Sequence, residues 1–280
     1  MTNKVKFTKK EVARKLGISV SSLYYKHKQD QIDLEVKKQI NAVMDTHPDY
    51  GHKRIALALK LNKKRILRVM KKYNLKPYRR RRKGMIKKKD ISRSNSQYRN
   101  LIKGIAVVDK PNLVWTSDFT YLKWRGIFLY LSTIIDIYGR NIVGFNLSNR
   151  HNKQLVLGAL ENALTNNPKP SILHSDQGSE YDSQTYTGFC ETIGIKVSMS
   201  NKSSPWENGY QESFYSHFKV QLADINRFYD IAELIEEISK LIWYHNNERI
   251  HSVLKCPPKI YLESYYKKMG TWHKPIKSIN

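Results

Sequence analysis

The sequence predicts a mixed α/β domain, built on a five-stranded sheet with helices, preceded by all-α helix-turn-helix domains. Two observations lead to this fold class. Residues 1–110 carry 32 Lys and Arg against 8 Asp and Glu, whereas residues 111–280 carry 18 against 16. The same boundary separates purely helical periodicity from a region where strand-like and helical patterns alternate. A basic helical part and a near-neutral α/β part therefore serve different purposes.

Residues 8–26 predict a helix-turn-helix. Thr8 and Glu11 have the spacing of a capping box, Gly17 suits the turn, and Ser19 can cap the second helix. An ordinary helical hairpin would show the same pattern, and this alternative stays open. We place this first domain at residues 1–33.

A second helical domain is predicted at residues 34–76. An amphipathic helix over residues 34–47 ends at His47-Pro48 and is followed by a helix pair over 52–60 and 62–75. The last of these helices has one apolar face, and its basic residues suit a DNA backbone or groove, with a solvated surface as the alternative. The basic residues on its other faces are Lys63, Lys64, Arg65, Arg68, Lys71 and Lys72.

Residues 77–110 form a basic linker. Its first part lacks apolar periodicity and contains the candidate phosphate contacts Arg79, Arg80, Arg81 and Arg82. A nuclear-import signal would have the same composition.

The α/β domain is predicted at residues 111–266, with a tail at 267–280. Three strands are predicted at 113–122, 127–136 and 140–148, joined by turns at 123–126 and 138–139 into an antiparallel meander. Helix, strand, helix and strand follow, then a Ser/Pro/Gly-rich loop and two helices, at 153–164, 171–175, 183–194, 196–200, 210–222 and 231–246. This is the element order of a ribonuclease-H-like core.

Three carboxylates in this domain have places suited to chemistry. Asp118 lies within the first strand, Asp176 follows a strand, and Glu212 lies on the helix after the loop. Such carboxylates meeting at one point repel one another unless a proton or cations intervene. Hard oxygen ligands suit Mg²⁺ or Mn²⁺, and two such ions support phosphodiester displacement. The spacing alone is weak support, since the chain contains 12 Asp and 12 Glu.

The strings around these carboxylates are distinctive. LVWTSDFTYL, HSDQGSEY, SPWENGYQESFYSHFK and YHNNERIHSVLKCPP occur in this order. Together they resemble the DDE integrase core of bacterial insertion-element transposases of the OrfB type, in the retroviral-integrase-like superfamily. The resemblance covers roughly residues 36–265, and the HPDYGHKRIALAL segment resembles the helical domain that precedes the core in that family.

The resemblance implies site residues. Asp118, Asp176 and Glu212 correspond to the catalytic triad and metal ligands, and Lys219 to a basic position two helical turns after Glu212. Glu207 is a weaker candidate for the third acid because it lies in the loop. Arg249 and His251 match the family's tail motif, with a role at a helix C-terminus as the alternative.

Other residues near the triad allow two interpretations. Asn208 is a candidate DNA or water contact, and Trp206 can stack on a base or anchor its loop. His174 can orient a carboxylate or be a hydrogen-bonded core histidine. Cys190 and Cys256 fit neither a disulfide framework nor a zinc site, and inert buried thiols are expected.

The expected function is that of a DNA transposase. The family resemblance implies binding of terminal repeats, cleavage of a strand and joining of its 3′-hydroxyl to target DNA, with Mg²⁺ or Mn²⁺ as cofactor, as two ions. Expected partners are double-stranded DNA, further copies of this chain and an upstream-frame protein. No signal peptide or membrane-spanning stretch is expected, so the predicted location is cytoplasmic and nucleoid-associated. An inactive DNA-binding regulator and a simple nuclease are the alternatives.

Overall fold

The structure of the protein is a computed structural model that describes residues 8–24, 29–78, 97–103, 105, 107–201 and 208–270. The chain divides into two compact units, Met1–Pro77 and Tyr78–Asn280. The linker arginines Arg79, Arg80, Arg81 and Arg82 lie outside the described residues, as do Trp206 and Glu207. Among the helices that are described, none is long and apolar enough to cross a bilayer.

The first unit begins with two short helices, α1 (Lys9–Lys15) and α2 (Val20–Tyr24). The predicted capping box is present, since Glu11 N donates to Thr8 Oγ1 at 3.3 Å and Thr8 N donates to Glu11 Oε2 at 2.8 Å. Gly17 has a φ of 65°, a conformation that glycine adopts at little cost. The DNA-binding role of this helix pair stays a prediction.

Three further helices surround the core of the first unit. They are α3 (Gln29–Thr46), α4 (His52–Leu59) and α5 (Lys63–Lys72). The apolar faces predicted for α3 and α5 form this core, whose buried residues include Val36, Ile40, Tyr50, Ile55, Ile66 and Val69. Helix α3 is continuous across the domain boundary predicted between residues 33 and 34, because its first turns belong to the same packed face.

A buried acid joins α3 to α5. Asp33 is 1% exposed and lies 2.7 Å from Arg68 Nη2 and 3.0 Å from Lys72 Nζ, while Gln29 Nε2 donates to its Oδ1 at 2.9 Å. The hydrogen bond from Gln29 and the two cations lower the pKa of Asp33. Arg68 is therefore ion-paired within the first unit, and its side chain is still 48% exposed, so its contact with DNA stays a prediction.

The second unit contains a mixed five-stranded sheet with the strand order β3-β2-β1-β4-β5. Strands β1, β2 and β3 are antiparallel, β4 is parallel to β1, and β5 is parallel to β4. Their bounds are Val114–Trp124, Ile127–Asp136, Ile142–Ser148, Ile172–Ser175 and Lys196–Met199. The predicted ribonuclease-H-like sheet is confirmed.

Helices cover both faces of this sheet, at α6 (Lys153–Asn166), α7 (Gln184–Thr192), α8 (Gly209–Leu222), α9 (Ile231–Asn247) and α10 (Pro258–Lys268). One buried cluster joins Trp115 and Ile134 to side chains of α6 and α7, including Val156 and Leu160. A second cluster joins strand residues to α8 and α9, among them Leu131, Phe214, Phe218, Leu234 and Ile238. The strands therefore lie between two layers of helices.

The β1–β2 connection is shorter than predicted. Strand β1 continues to Trp124, and only Arg125 and Gly126 form the turn, with φ angles of 47° and 85°. Two successive positive φ angles match the right-handed twist of the flanking strands. Each strand therefore extends further, and the side chains of the predicted turn lie at the end of a regular hairpin.

Helix α10 was not predicted. Pro258 occupies its first turn, where a missing N–H costs nothing. The aromatic rings of Tyr261 and Tyr265 pack on Tyr138, with ring centroids 5.2 and 5.1 Å apart. This tertiary contact accounts for a helix in a tyrosine-rich segment, and the predicted core–tail boundary falls within its last turn.

Close packing between β3 and α6 gives a stability prediction. A Cβ at Gly144 would lie 2.5 Å from both Ala159 O and Ala163 Cβ. Gly144→Ala should therefore lower the free energy of unfolding by about 1–3 kcal/mol through overpacking. All five tryptophans belong to the second unit, so their fluorescence during urea unfolding measures the change.

Gly188→Ala is the matched control. A Cβ at Gly188, inside α7, meets nothing within 4 Å. Removing glycine from a helix interior should raise stability by roughly 0.5–1 kcal/mol. Equal effects of the two substitutions would contradict the close contact of β3 with α6.

Candidate active site

Two of the three predicted acids lie at corresponding positions along the neighbouring strands β1 and β4, where β4 ends. Strand β4 pairs with β1 in parallel register, with His174 opposite Thr116. Two residues further along each chain are Asp176, directly after β4, and Asp118, within β1 and opposite Thr133 of β2. Because β4 ends at this level, the two carboxylates border the opening at its carboxyl end.

The turn after β4 holds Asp176 in place. Gly178 N donates to Asp176 Oδ1 at 3.0 Å. A Cβ at Gly178 would lie 3.1 Å from both Asp176 Oδ1 and Glu180 Oε2, so glycine allows the two acids to approach. Glu180 is 8% exposed, and its Oε1 lies 3.3 Å from His151 Nε2.

Helix α8 is fixed to the sheet by polar side chains on one of its faces. Gln211 Nε2 donates to the carbonyl oxygens of Thr116 at 2.7 Å and Thr133 at 3.1 Å. One turn further along the helix, the Tyr215 hydroxyl donates to Asp118 O at 2.7 Å. Both side chains are buried, so these bonds fix the position and rotation of α8 against β1 and β2.

Glu212 is next to this fixed face. It is an exposed residue in the first turn of α8, directly after Gln211. Lys219 follows two helical turns later, and its Nζ lies 4.9 Å from the ring centroid of Tyr121 on β1. The charges of Glu212 and Lys219 both act on Asp118, so α8 carries both residues toward the side of the sheet where Asp118 lies.

The electrostatics of the opening are unfavourable for negative charge. Burial raises the pKa of Asp118 to about 7, the charges of Asp176 and Glu212 add to the increase, and the Phe119 N–H and Lys219 offset part of it. Burial also raises the pKa of Asp176, and the hydrogen bond from Gly178 N offsets part of this increase. Neighbouring cations do not neutralise these acids fully.

The donor set fits a hard divalent cation. Mg²⁺ and Mn²⁺ prefer carboxylate oxygens as ligands, and here the negative charge of these oxygens is not fully balanced by neighbouring cations. No group of three or more His, Cys, Asp or Glu side chains within the described ranges is close enough to hold a metal ion as it stands. The acids interact electrostatically at a distance, and a cation between them would remove the repulsion.

Two of the predicted DNA contacts are buried, and their contact with DNA stays a prediction. Arg249, just beyond α9, is 4% exposed, and its side chain is part of the interior. Asn208 is 5% exposed, and its Nδ2 donates to Ser117 O at 3.2 Å, which makes it part of the attachment of α8. His251 remains partly exposed.

The remaining predictions have mixed outcomes. His174 is a buried core histidine, with Nδ1 2.9 Å from Ser198 Oγ. Cys190 is buried, and burial raises its pKa to about 12, as expected for an inert thiol. Lys63, Lys64 and Arg65 are exposed in the first turn of α5 in the other unit.

Sequence interpretation missed Gln211 and Tyr215. They lie on the same face of α8 as the buried Phe218 and Leu222, so two polar side chains continue an apolar stripe. That continuity was the available signal. Glu180 gave no comparable signal, because a turn containing glycine tolerates an exposed acid equally well.

Comparison with known proteins gives several matches. Two family models described as "Integrase core domain" match residues 108–205 and 193–258. The transposase for insertion sequence element IS904 of Lactococcus lactis subsp. lactis is 35% identical over 243 residues, covering 80% of this chain and 92% of that protein. The transposase for insertion sequence element IS629 of Shigella sonnei is 30% identical over 167 residues, covering 59% and 56%.

One solved structure supports the fold over most of the chain. It is a chain in the cryo-EM structure of the simian T-cell lymphotropic virus intasome in complex with PP2A regulatory subunit B56 gamma. The TM-score is 0.51 at 17% identity, covering 86% of this chain and 80% of that chain. The family models and the IS904 relative decide the family: the chain belongs to the insertion-sequence transposases with an integrase core, polynucleotidyl transferases of the DDE type.

Proposed function

We propose that the protein binds the terminal repeats of a mobile DNA element, cleaves one strand and joins the freed 3′-hydroxyl to target DNA. The observation that carries this proposal is the level register of Asp118 and Asp176 beside Glu212 on the fixed helix α8. Three acids from three separate elements at one opening serve no packing purpose. Acids whose pKa values are raised by burial and like charge, in a cleft, are typical of functional sites.

Asp118, Asp176 and Glu212 are the proposed ligands of Mg²⁺ or Mn²⁺, as two ions. When bound, two such ions lower the pKa of an attacking water or hydroxyl and stabilise the charge on the leaving oxygen. The side chains of Gln211 and Tyr215 keep Glu212 in register with the aspartates. Lys219, two turns along the same helix, is proposed to contact a phosphate of the bound strand.

The first unit is the proposed site of terminal-repeat binding. Lys63, Lys64 and Arg65 occupy the first turn of α5, where the helix dipole already carries partial positive charge. Positively charged side chains at this end are repelled by the helix dipole. A DNA phosphate bound at the helix N-terminus offsets that repulsion. The four linker arginines, Arg79 to Arg82, are proposed to add sequence-independent phosphate contacts.

The proposed reaction also determines how many copies of the chain act together. Joining an element to its target brings two DNA ends together, so we propose that two or more copies act on DNA. An upstream-frame protein is a further proposed partner, and the proposed place of action is the cytoplasm, on nucleoid DNA. The binding and assembly steps have readouts that do not depend on cleavage.

Replacing Asp176 tests the chemistry. Asp176→Asn should abolish Mg²⁺-dependent strand cleavage, because the neutral amide is a weak ligand for a hard cation. DNA affinity should be retained, since the proposed binding residues are elsewhere. Cleavage of terminal-repeat DNA on denaturing gels and affinity from fluorescence anisotropy measure the two effects separately.

Asp182→Asn is the control, because it removes the same charge from an exposed position six residues away. Glu212→Gln should also abolish cleavage, whereas Glu207→Gln should retain it. Cleavage by the Asp176→Asn protein would disprove the assigned site. Cleavage without strand joining by the unmodified protein would indicate a simple nuclease.

The salt dependence of binding tests the α5 cations. Replacing Lys63, Lys64 and Arg65 by Ala should reduce the slope of log affinity against log salt by about 3, close to one per lost phosphate contact. The charge-matched control replaces the exposed Lys259, Lys267 and Lys268 of α10. Equal changes in slope for both triple variants would show that only net charge matters.

A further inference from the structure

Exposed aromatic side chains surround the end of the β1–β2 hairpin. Tyr121 is 50% exposed, Phe128 46% and Tyr229 78%. The first two belong to the hairpin, and Tyr229 follows the short 3₁₀ helix Ile225–Arg227. Aromatic rings this exposed contribute little to the core, so their presence in one region needs another reason.

Cations lie over several of these rings. On one face of the hairpin, Lys123 Nζ is 5.8 Å from the Phe128 ring centroid, and the rings of Tyr121 and Phe128 meet edge to face with centroids 6.0 Å apart. At the turn, the Arg125 guanidinium lies 5.7 Å from the ring centroids of both Trp124 and Tyr229. We call Tyr121, Lys123, Arg125, Phe128 and Tyr229 the hairpin surface.

The hairpin surface is held in shape by its neighbours. Arg125 N donates to Asn226 Oδ1 at 2.7 Å, and Trp124 Nε1 donates to Phe228 O at 3.4 Å. These bonds attach the turn to the segment that carries Tyr229. The aromatic side chains are therefore supported by two tethered segments.

The charges of the hairpin surface favour an anionic ligand. Within the part of the chain that the structure describes, Lys123 and Arg125 form no ion pair with an acid. Arg227 nearby differs, because its Nη2 lies 3.3 Å from Glu237 Oε1. The two cations of the hairpin surface thus combine with aromatic rings and remain available to a polyanion.

The hairpin surface lies beyond the proposed catalytic site on the same strand. Tyr121 is three residues after Asp118, about 10 Å along β1, and the odd separation places the two side chains on opposite faces of the strand. Lys219 connects them, since it lies over the Tyr121 ring and acts electrostatically on Asp118. A strand with a phosphate at the acids would therefore have its next nucleotides at the hairpin.

We propose that the hairpin surface binds unpaired bases of the DNA strand that occupies the catalytic site. Aromatic rings stack on the faces of bases, and those faces are available only where the duplex has opened. Cations beside the rings attract the backbone of the same strand. This inference rests on the proposed function in taking DNA as the ligand and in placing the same strand at the three acids.

Photochemical cross-linking of the full chain tests the proposal without metal or cleavage. The probe is a short single-stranded oligothymidylate in which 5-iodouracil replaces one thymine, and cross-linked peptides are mapped by mass spectrometry. Cross-links are expected at Tyr121, Phe128 or Tyr229. Phe128→Ala and Tyr229→Ala should each weaken binding of the single strand by about 5-fold to 150-fold, with affinity for a blunt duplex unchanged.

Two controls separate stacking from other effects. Tyr229→Trp keeps an aromatic face and should retain affinity, whereas Trp243→Ala removes a 57% exposed ring from α9 and should have no effect. Cross-links confined to residues 1–110 would overturn the proposal, as would equal losses for single strand and duplex. Altered sedimentation of the DNA-free variants with unchanged affinity would also overturn it, and would identify an interface between copies.

The result is independent of the cleavage test. Stacking is measured as binding, so cleavage by Asp176→Asn would disprove the catalytic assignment and leave the hairpin result unaffected. Failure of the cross-links would leave the cleavage assignment unaffected.

Discussion

Burial of the acids at the opening, together with the like charges that act on Asp118, is the constraint on which the rest of the second unit depends. Asp118 lies within β1 and Asp176 directly follows β4, each two residues beyond the paired Thr116 and His174, so the sheet limits how far apart the two acids can lie. Ionising Asp118, with its pKa raised from 3.8 to about 7, costs on the order of 4 kcal/mol. Buried hydrogen bonds attach helix α8 to the sheet beside these acids. The same bonds fix the part of the helix that carries Glu212.

The chain treats another of its buried acids differently. Asp33 in the first unit is enclosed by Arg68, Lys72 and Gln29, and its pKa is lowered. The pKa of Asp118 is raised, although Lys219 acts on it. The same sequence therefore neutralises an acid that joins helices and leaves the acids at the opening short of positive charge. Burial also raises the pKa of Asp136, so the feature specific to the opening is the like charge of Asp176 and Glu212 on Asp118, and this charge is the physical basis for proposing a cation there.

Most of the fold could be predicted from local sequence patterns. The β-branched and aromatic segments gave β2 at its observed bounds, and the periodicity of α6 and α9 gave their starts. Helix α10 could not be predicted, because it is stabilised by tyrosine packing on a distant loop. Strand β1 was predicted too short, since Trp124 looked like part of the turn until the φ angles of Arg125 and Gly126 were known.

The site was predictable in its acids and less so in its support. Asp118, Asp176 and Glu212 stood out because each acid occupied a strand, a strand end or a helix start in a distinctive string. Burial and ion pairing are not properties of a short string, so neither the burial of Arg249 nor the ion pair of Arg68 with Asp33 could be predicted. The polar face of α8 was visible only once its carbonyl partners on β1 and β2 were placed opposite it.

Thermal unfolding of the unmodified protein and of Asp118→Asn, at a pH above 7 with and without Mg²⁺, tests whether the acids at the opening need a cation. A raised pKa in the folded state means that stability is lost as the pH rises from 3.8 through about 7. Without metal, Asp118→Asn should be more stable than the unmodified protein, and only the unmodified protein should gain stability from Mg²⁺. A less stable Asp118→Asn protein, or an equal gain from Mg²⁺ in both, would contradict a cation site at these acids.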